Sequence, residues 1–316
     1  MAQEITHQSE LKRLRDLQKR AEQGGGPKAI EKRHAAGKLT ARERLDLLFD
    51  AGSFVELNQL AESQATDFGM QEKKVPGDGV IIGYGNIDGR LVFAYAQDAT
   101  VLGGSVGTVH GRKICRIMDE ALKVKAPIVG LFDSGGGRIH EGFFASKGVA
   151  GMFFRNTQAS GVVPQISAMM GPCAGVSVYS PALTDMIIMV EGTSQMALTG
   201  PGVIKSITGE DVTLEELGGA RVHSEITGQA QLTAENDKTC IQLIRQLLSF
   251  LPSSHLETPP AHDNDEAADR TDDSLQEIVP ANFRKAYDMR KVVKRVTDSG
   301  EFFELLPKYA RNIIIG

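Results

Sequence analysis

The sequence predicts an α/β protein with parallel inner strands, and two neighbouring stretches carry that prediction. Pro127-Ile-Val-Gly-Leu-Phe132 and Pro164-Gln-Ile-Ser-Ala-Met-Met170 are short, mostly apolar runs opened by proline, the pattern of strands buried on both faces. Each runs into glycine: Asp133-Ser-Gly-Gly-Gly137 follows the first, and Gly171-Pro-Cys-Ala-Gly175 the second. Two strand–loop–helix units in succession imply adjacent parallel strands with helical crossovers, and ligands of such sheets sit at the carboxyl ends of the strands. Glycine turns the backbone sharply and leaves amides uncovered. A helix following either loop aims its first N–H groups into the same space. Gly137 and Gly175 are thereby expected to face one reacting atom from two loops, as an oxyanion hole built of main-chain donors.

The remaining elements follow in chain order. Leu11, Leu14 and Leu17 recur at helical spacing up to Gly24-Gly-Gly-Pro27, an amphipathic helix lying on something, another subunit being one candidate. Thr40 with Glu43 is a T-x-x-E capping box that opens a helix burying Leu45, Leu48 and Phe49. Gly52–Leu57 reads as a short strand. Val80–Tyr84 and Leu91–Tyr95 read as a β-hairpin turned at Asp88-Gly89. A helix with Ile114, Ile117, Met118, Ala121 and Leu122 on one side precedes the two loops. Met186–Val190 and Gln195–Leu198 are further strands, and Leu243–Leu251 a helix stopped by Pro252.

At 316 residues, 41% hydrophobic and 24% charged, the chain has ample core. No apolar run approaches the roughly 18 residues that span a bilayer, so a membrane link is expected only through partner subunits. Cys115, Cys173 and Cys240 are odd in number and widely spaced. That pattern favours a reducing compartment, cytoplasmic or, in a eukaryote, the mitochondrial matrix, and argues against structural zinc. A net charge of −5 gives no reason to expect nucleic acid. An anionic ligand needs a locally basic site, and residues 28–44 hold one: Lys28, Lys32, Arg33, Lys38, Arg42 and Arg44 outnumber Glu31 and Glu43. They form either a solvated helix face or a clamp for phosphates.

The segment from about Ser253 to Pro280, with Pro259-Pro260 and many Asp and Glu, reads as a solvated linker. Beyond it, Met289–Leu305 copies Ala41–Leu57 without gaps, the shared Arg, Asp, Gly, Phe, Glu and Leu falling at one constant offset. A repeat at this separation suggests two domains of one fold. The second copy stops at Asn312–Gly316, within what is expected to be its first hairpin strand, so the chain is expected to be the first half of a longer protein. The expected division is 1–256 for the first domain, 257–280 for the linker and 281–316 for the start of the second.

Gly103-Gly-Ser-Val-Gly107 matches the G-x-S-x-G elbow of serine hydrolases, with Ser105 as nucleophile, Asp133 or Asp185 as the acid and His223 as the base. The Ser134–Gly137 loop lacks the G-K-[ST] ending of a phosphate-binding P-loop. His140 beside it reads either as a general base or as a hydrogen-bonded neighbour, and Cys173 as a packed thiol.

Lys38-Leu-Thr-Ala-Arg-Glu-Arg-Leu45, Phe54-Val-Glu-Leu57, Gly103-Gly-Ser105, Asp133-Ser-Gly-Gly with Arg138-Ile139, and Ala159-Ser-Gly-Val resemble the biotin-dependent acyl-CoA carboxyltransferase family. So do Pro164-Gln-Ile, Gly171–Gly175, Tyr179–Asp185, Thr199-Gly-Pro201, Ile204-Lys-Ser206 and Glu216-Leu-Gly-Gly219. The likeness runs from about Gln23 to the last residue and is strongest to the branch acting on propionyl-CoA and methylmalonyl-CoA. It implies a crotonase-like ββα superhelix and a coenzyme A thioester as substrate. It further implies biotin carried on a partner protein, and a homo-oligomer, from dimer to hexamer, with active sites between subunits. The implied chemistry moves a carboxyl group between biotin and the α-carbon of a short acyl-CoA, as a carboxylase or, in reverse, a decarboxylase.

By the same resemblance the thioester oxygen is held by the N–H of Gly136 or Gly137 and of Gly175 or Val176, while Arg33, Lys38, Arg42, Gly103, Gly104 and Ser105 contact coenzyme A. Family members carry Ala where Gly137 stands, Gly where Val176 stands and an aromatic residue where Ala197 stands. An isolated, non-catalytic CoA-binding half and a serine hydrolase are the alternatives.

Overall fold

The computed structural model describes residues 6–261, 264–267 and 269–316. Three helices lead: α1 (His7–Glu22), α2 (Pro27–Ala35) and α3 (Ala41–Leu48). α3 starts at the capping box, where Thr40 Oγ1 accepts from the Glu43 N–H and the Glu43 carboxylate accepts from the Thr40 N–H. Leu45, Leu48 and the following Phe49 are buried as the pattern requires, whereas Leu11 and Leu14 of α1 are exposed.

β1 (Val55–Leu57), β2 (Val80–Ile87) and β3 (Arg90–Gln97) form an antiparallel edge. Asp88 and Gly89 turn the hairpin with φ of 50° and 77°, the left-handed pair that matches the twist of the strands. α4 (Thr108–Val124) then crosses to β4 (Ile128–Ser134), and α5 (Ser146–Ala159) to β5 (Gln165–Ala174). After them come α6 (Val176–Tyr179), β6 (Met186–Val190), β7 (Gln195–Ala197), α7 (Pro201–Thr208), α8 (Leu214–Gly218), β8 (Leu232–Ala234) and α9 (Asp237–Ser249). The eight-stranded sheet runs β1-β2-β3-β4-β5-β6-β8 and is parallel from β3 onward, with β7 on the far end of β5. This is the predicted α/β class, with the hairpin making the sheet mixed.

Both faces of the sheet are covered, which is why β4 is buried at every position. On one face Leu45, Val129 and Ile166 pack with Ile241 and Ile244 of α9. On the other, Ile114, Ile117 and Met118 of α4 pack with Phe132 and Met169. α4 and α5 meet glycine to glycine: a Cβ on Gly111 would lie 2.6 Å from Gly148 Cα.

Two local expectations are corrected. No helix follows the first loop directly; 3₁₀ turns over Ile139–Ala145 intervene, and α5 begins only at Ser146. Nor does β5 end at Gly171. The chain stays extended to Ala174 because residues 172–174 find a ladder partner in β7; at Gly171 the missing Cβ makes room for the Asp133 carboxylate.

α10 (Leu275–Ile278) and α11 (Met289–Val296) close the chain. The repeat recurs in outline, though without the buried face and the capping box of the first copy. Asp288 caps α11 as Thr40 caps α3, Arg290 pairs Glu304 as Arg42 pairs Glu56, and Leu305 bridges Ile315 antiparallel as β1 pairs β2. The second copy packs on the first unit through Phe303 stacked on Phe250 at 5.5 Å and the Leu306 N–H donated to Gln231 O at 2.9 Å.

The glycine contact between α4 and α5 yields a prediction. Gly111→Val overpacks it and is expected to lower stability by about 3 kcal/mol. Urea unfolding reads the change, and an unmoved midpoint would show that the two helices part without cost.

Candidate active site

The two glycine loops meet at the carboxyl ends of β4 and β5, which lie side by side. Ser134 pairs with Cys173 across the strands, and Ser134 Oγ and Ser177 Oγ share a hydrogen bond of 2.8 Å. Gly136 has φ +100°, and a Cβ there would press on Ala174 O at 2.8 Å. Gly175 has φ 57° and ψ −127°, a conformation open in practice to glycine alone.

Four N–H groups were nominated by sequence, and their partners separate them. Gly136 N–H donates to Ser134 Oγ at 3.3 Å, and Gly175 N–H donates to Ala197 O at 3.1 Å. The nomination of Gly136 and Gly175 as free donors is corrected accordingly: each supplies the turn while its own amide is engaged. Gly137 N–H and Val176 N–H have no acceptor among the described residues. Gly137 is exposed and Val176 half-buried, and a Cβ on Gly137 would lie 3.5 Å from Val176 Cγ2. The two open donors therefore belong to residues that face each other across one gap.

Buried charge fixes both flanks of the first loop. Before it, Asp133 Oδ2 accepts from Arg33 and from Arg44 Nη1 (3.0 Å). Arg44 also donates Nε to Asp237 (2.8 Å) and Nη2 to Met170 O (2.9 Å), and is 1% exposed. Burial opposes its charge, yet the Asp133 and Asp237 carboxylates outweigh that and hold its pKa above the ordinary value. After the loop, Arg138 Nη1 pairs with Asp78 at 2.6 Å and Glu141 at 2.9 Å. Burial pushes the Asp78 carboxyl up. Glu141 is held below its usual range: burial opposes this, but the Thr108 N–H and Arg138 prevail.

A neutral relay joins the two anchors. The Asp133 N–H donates to Gln97 Oε1 (3.3 Å), Gln97 Nε2 lies 3.4 Å from His110 Nε2, and His110 Nδ1 lies 3.1 Å from Asp78 O. Gln97 Nε2 donates only if His110 Nε2 is bare, which puts the ring proton on Nδ1. Burial, with Arg138 second, keeps the His110 pKa well below its usual value.

The cations expected to grip phosphates are engaged internally. Arg33 donates to Leu39 O and Asp133, and Lys38 Nζ to Thr193 O at 3.0 Å; Arg42 lies 3.0 Å from Glu56 as an ion pair, while its buried Nε and Nη2 make no hydrogen bond among the described residues. Burial lowers the Lys38 pKa. Lys28 and Lys32 remain exposed. Gly103, Gly104 and Ser105 buttress the first loop from the side: Gly103 O accepts the Gly135 N–H at 3.0 Å, and a Cβ on Gly104 would collide with Asp133 O.

The hydrolase elbow does not assemble. Ser105 Oγ donates to Leu102 O and accepts from Arg138 Nε, His223 Nε2 meets Met196 O, and Asp133 sits among arginines. His140 is exposed and edges Phe68, ring centroids 6.5 Å apart. Cys173 is packed, its thiol pushed up to about 12 by burial. Among the described residues no cluster of His, Cys, Asp or Glu could hold a metal, and no helix is long and apolar enough to cross a membrane. An apolar cavity of about 280 Å³ opens at the opposite ends of β5 and β6, beside Val163 and Met186, away from the loops.

The fold is of the crotonase-like type, with its two glycine loops side by side at neighbouring strand ends. The carboxyl transferase domain family matches residues 32–316, and the chain belongs to that family. It is 52% identical over 309 residues to the methylmalonyl-CoA decarboxylase subunit alpha of Veillonella parvula, covering 98% of this chain and 61% of that one. It is 49% identical to the mitochondrial propionyl-CoA carboxylase beta chain of Homo sapiens, covering 96% and 57%. The transcarboxylase 12S hexamer structure with hydrolysed methylmalonyl-coenzyme A bound superposes with a TM-score of 0.96 at 42% identity, covering 99% of this chain and 62% of that one. The chain thus spans about 60% of the length of the curated relatives it matches.

Two predictions come from the anchors. Arg44→Leu leaves Asp237 without a paired cation among the described residues and Asp133 with Arg33 alone, and is expected to cost about 3–5 kcal/mol in denaturant unfolding; Arg44→Lys, which cannot serve three acceptors in one plane, is expected to recover less than half of that. For pH, the His110 pKa is depressed in the folded state, so below about 6.5 the unfolded chain binds a proton that the native ring refuses. Stability is expected to fall as pH drops from about 7 to 5.5. Asp78, with its raised pKa, has the opposite sign nearer the carboxylate range. His110→Gln is expected to flatten the slope in that window, and an equal slope in the variant would assign it to other groups.

Proposed function

We propose that this chain supplies the acyl-CoA side of a biotin-dependent carboxyltransferase, with Gly137 N–H and Val176 N–H binding the thioester oxygen. The observation that carries the proposal is the pair of unengaged amides at adjacent parallel strand ends. When the α-carbon loses either a proton or a carboxylate, its electron pair moves onto the thioester oxygen. Two fixed donors stabilise that charge more than they stabilise the neutral carbonyl, which is the condition for catalysis. A carboxybiotin presented by a partner would supply CO2 as its N–C bond breaks, and the ureido nitrogen left behind would take the α-proton; in the reverse direction the CO2 would pass to biotin and the biotin N–H proton to the α-carbon. No acid or base from this chain is required. The relatives' names support propionyl-CoA or methylmalonyl-CoA as the substrate class, and Lys28 and Lys32 are the exposed cations of the basic stretch 28–44 that could meet the CoA phosphates.

The division at 256 and 280, assembly into a homo-oligomer, and a reducing compartment are parts of the same proposal. The cysteines, free and buried, fit the last of these. A second reading is favoured by the coverage of the relatives: the chain alone binds the thioester and turns it over only when joined to the remaining length.

Val176→Pro tests the oxyanion role directly. Val176 is the first helical residue, where proline is tolerated; the N–H is lost and the pyrrolidine ring replaces the isopropyl group. A fall of about 10²–10³ in kcat is expected, with KM changing little. Activity within a fewfold of wild type, in a variant with native circular dichroism, would remove Val176 from the mechanism.

A further inference from the structure

The two loops that carry the open amides are each held from their outer side. Val106 N–H donates to Gly136 O at 2.8 Å, and Arg138 N–H donates to Val106 O at 2.9 Å. The chain just before α4 thus straps the first loop through residues 136 and 138. Successive peptides of an extended segment point to alternate sides, which turns the Gly137 N–H away from the strap and toward Val176. On the second loop Ala197 O of β7 holds the Gly175 N–H at 3.1 Å. These contacts orient the loops singly; neither sets the distance between them.

That distance is set across the gap. The β4–β5 ladder ends at the pair Ser134 and Cys173. Beyond the ladder, among the described residues, one hydrogen bond crosses from loop to loop, between Ser134 Oγ and Ser177 Oγ at 2.8 Å. Both side chains are buried. Ser134 Oγ also accepts the Gly136 N–H at 3.3 Å, and Ser177 directly follows Val176. The bridge therefore runs from the turn that presents Gly137 to the neighbour of Val176.

We propose that Ser134 and Ser177 are positioning residues: their hydroxyl pair holds the Gly137 and Val176 amides at the separation from which both reach one oxygen. The inference rests on the acyl-CoA reading above. Both serines act through the amides, whose benefit falls steeply when a donor is misplaced.

The test uses the full-length protein in its native assembly with its biotin-bearing partner, assayed with propionyl-CoA and methylmalonyl-CoA. Its control is inhibition by S-propyl-CoA, a thioether that keeps coenzyme A and the propyl chain but has no carbonyl oxygen. Ser177→Ala is expected to lower kcat about ten- to a hundredfold. Inhibition by S-propyl-CoA is expected to stay within about twofold of wild type, since a ligand without that oxygen gains nothing from the donors. Ser134→Ala is expected to lose at least as much kcat, and the double variant no more than the larger single loss, because both changes remove the same bond. If kcat stays within about twofold of wild type, if S-propyl-CoA binding weakens in step with kcat, or if the single losses multiply in the double variant, the serines do not position the amides and the acyl-CoA reading stands. If the wild-type assembly neither binds nor turns over either thioester, that reading fails and the positioning role falls with it.

Discussion

Arg44 is the interaction on which the site depends. It is almost wholly buried, and its three donor atoms reach Asp133, Asp237 and Met170 O. One guanidinium thereby ties α3 to the end of β4, the start of α9 and the far part of β5. Burying such a group is costly, and an apolar cluster of equal volume is often as stable. A planar fork with three fixed acceptors supplies position instead. Asp133 is the last residue before the Ser134–Gly137 loop, so the guanidinium sets where that loop begins.

Electrostatics supplies a second reason for the arrangement. A bare carboxylate one residue before the loop would oppose any negative charge developing at Gly137. Arg33 and Arg44 both contact Asp133, and Arg138 contacts Asp78 and Glu141 on the other flank. Each carboxylate near the loop is matched by a guanidinium. The charges sit one step behind the amides, where they hold the frame without competing for the ligand. His110, neutral between the two anchors, adds no charge to the balance.

Local signals in the sequence were read correctly where neighbours in the chain decide the outcome. Thr40 with Glu43 and Asp88 with Gly89 are complete within four residues, and the structure repeats them. The parallel strands and the meeting of the two loops were also legible, because proline-led apolar runs ending in glycine have few other uses. Which amide in each loop is open was not legible. Gly175 is engaged by Ala197 and Gly136 by Ser134 Oγ, and the first of these contacts depends on how β7 lands on β5. Arg33, Lys38, Arg42 and Arg44 look like a solvated cationic face in sequence; their partners, Asp133, Thr193, Glu56 and Asp237, are scattered along the chain, and no spacing rule connects them.

The internal repeat separates what builds the corner from what serves the site. The residues shared by the two copies include Arg42 and Arg290, Glu56 and Glu304, and Leu57 and Leu305. In both copies the arginine and glutamate pair across the junction of helix and edge strand. That contact needs only residues within the motif, so it survives wherever the motif is placed. Arg44 is different: at its place the second copy has Val292. At that position an apolar side chain buries no charge. The difference between Arg44 and Val292 separates what the corner motif itself requires from the contact by which the first copy holds the end of β4.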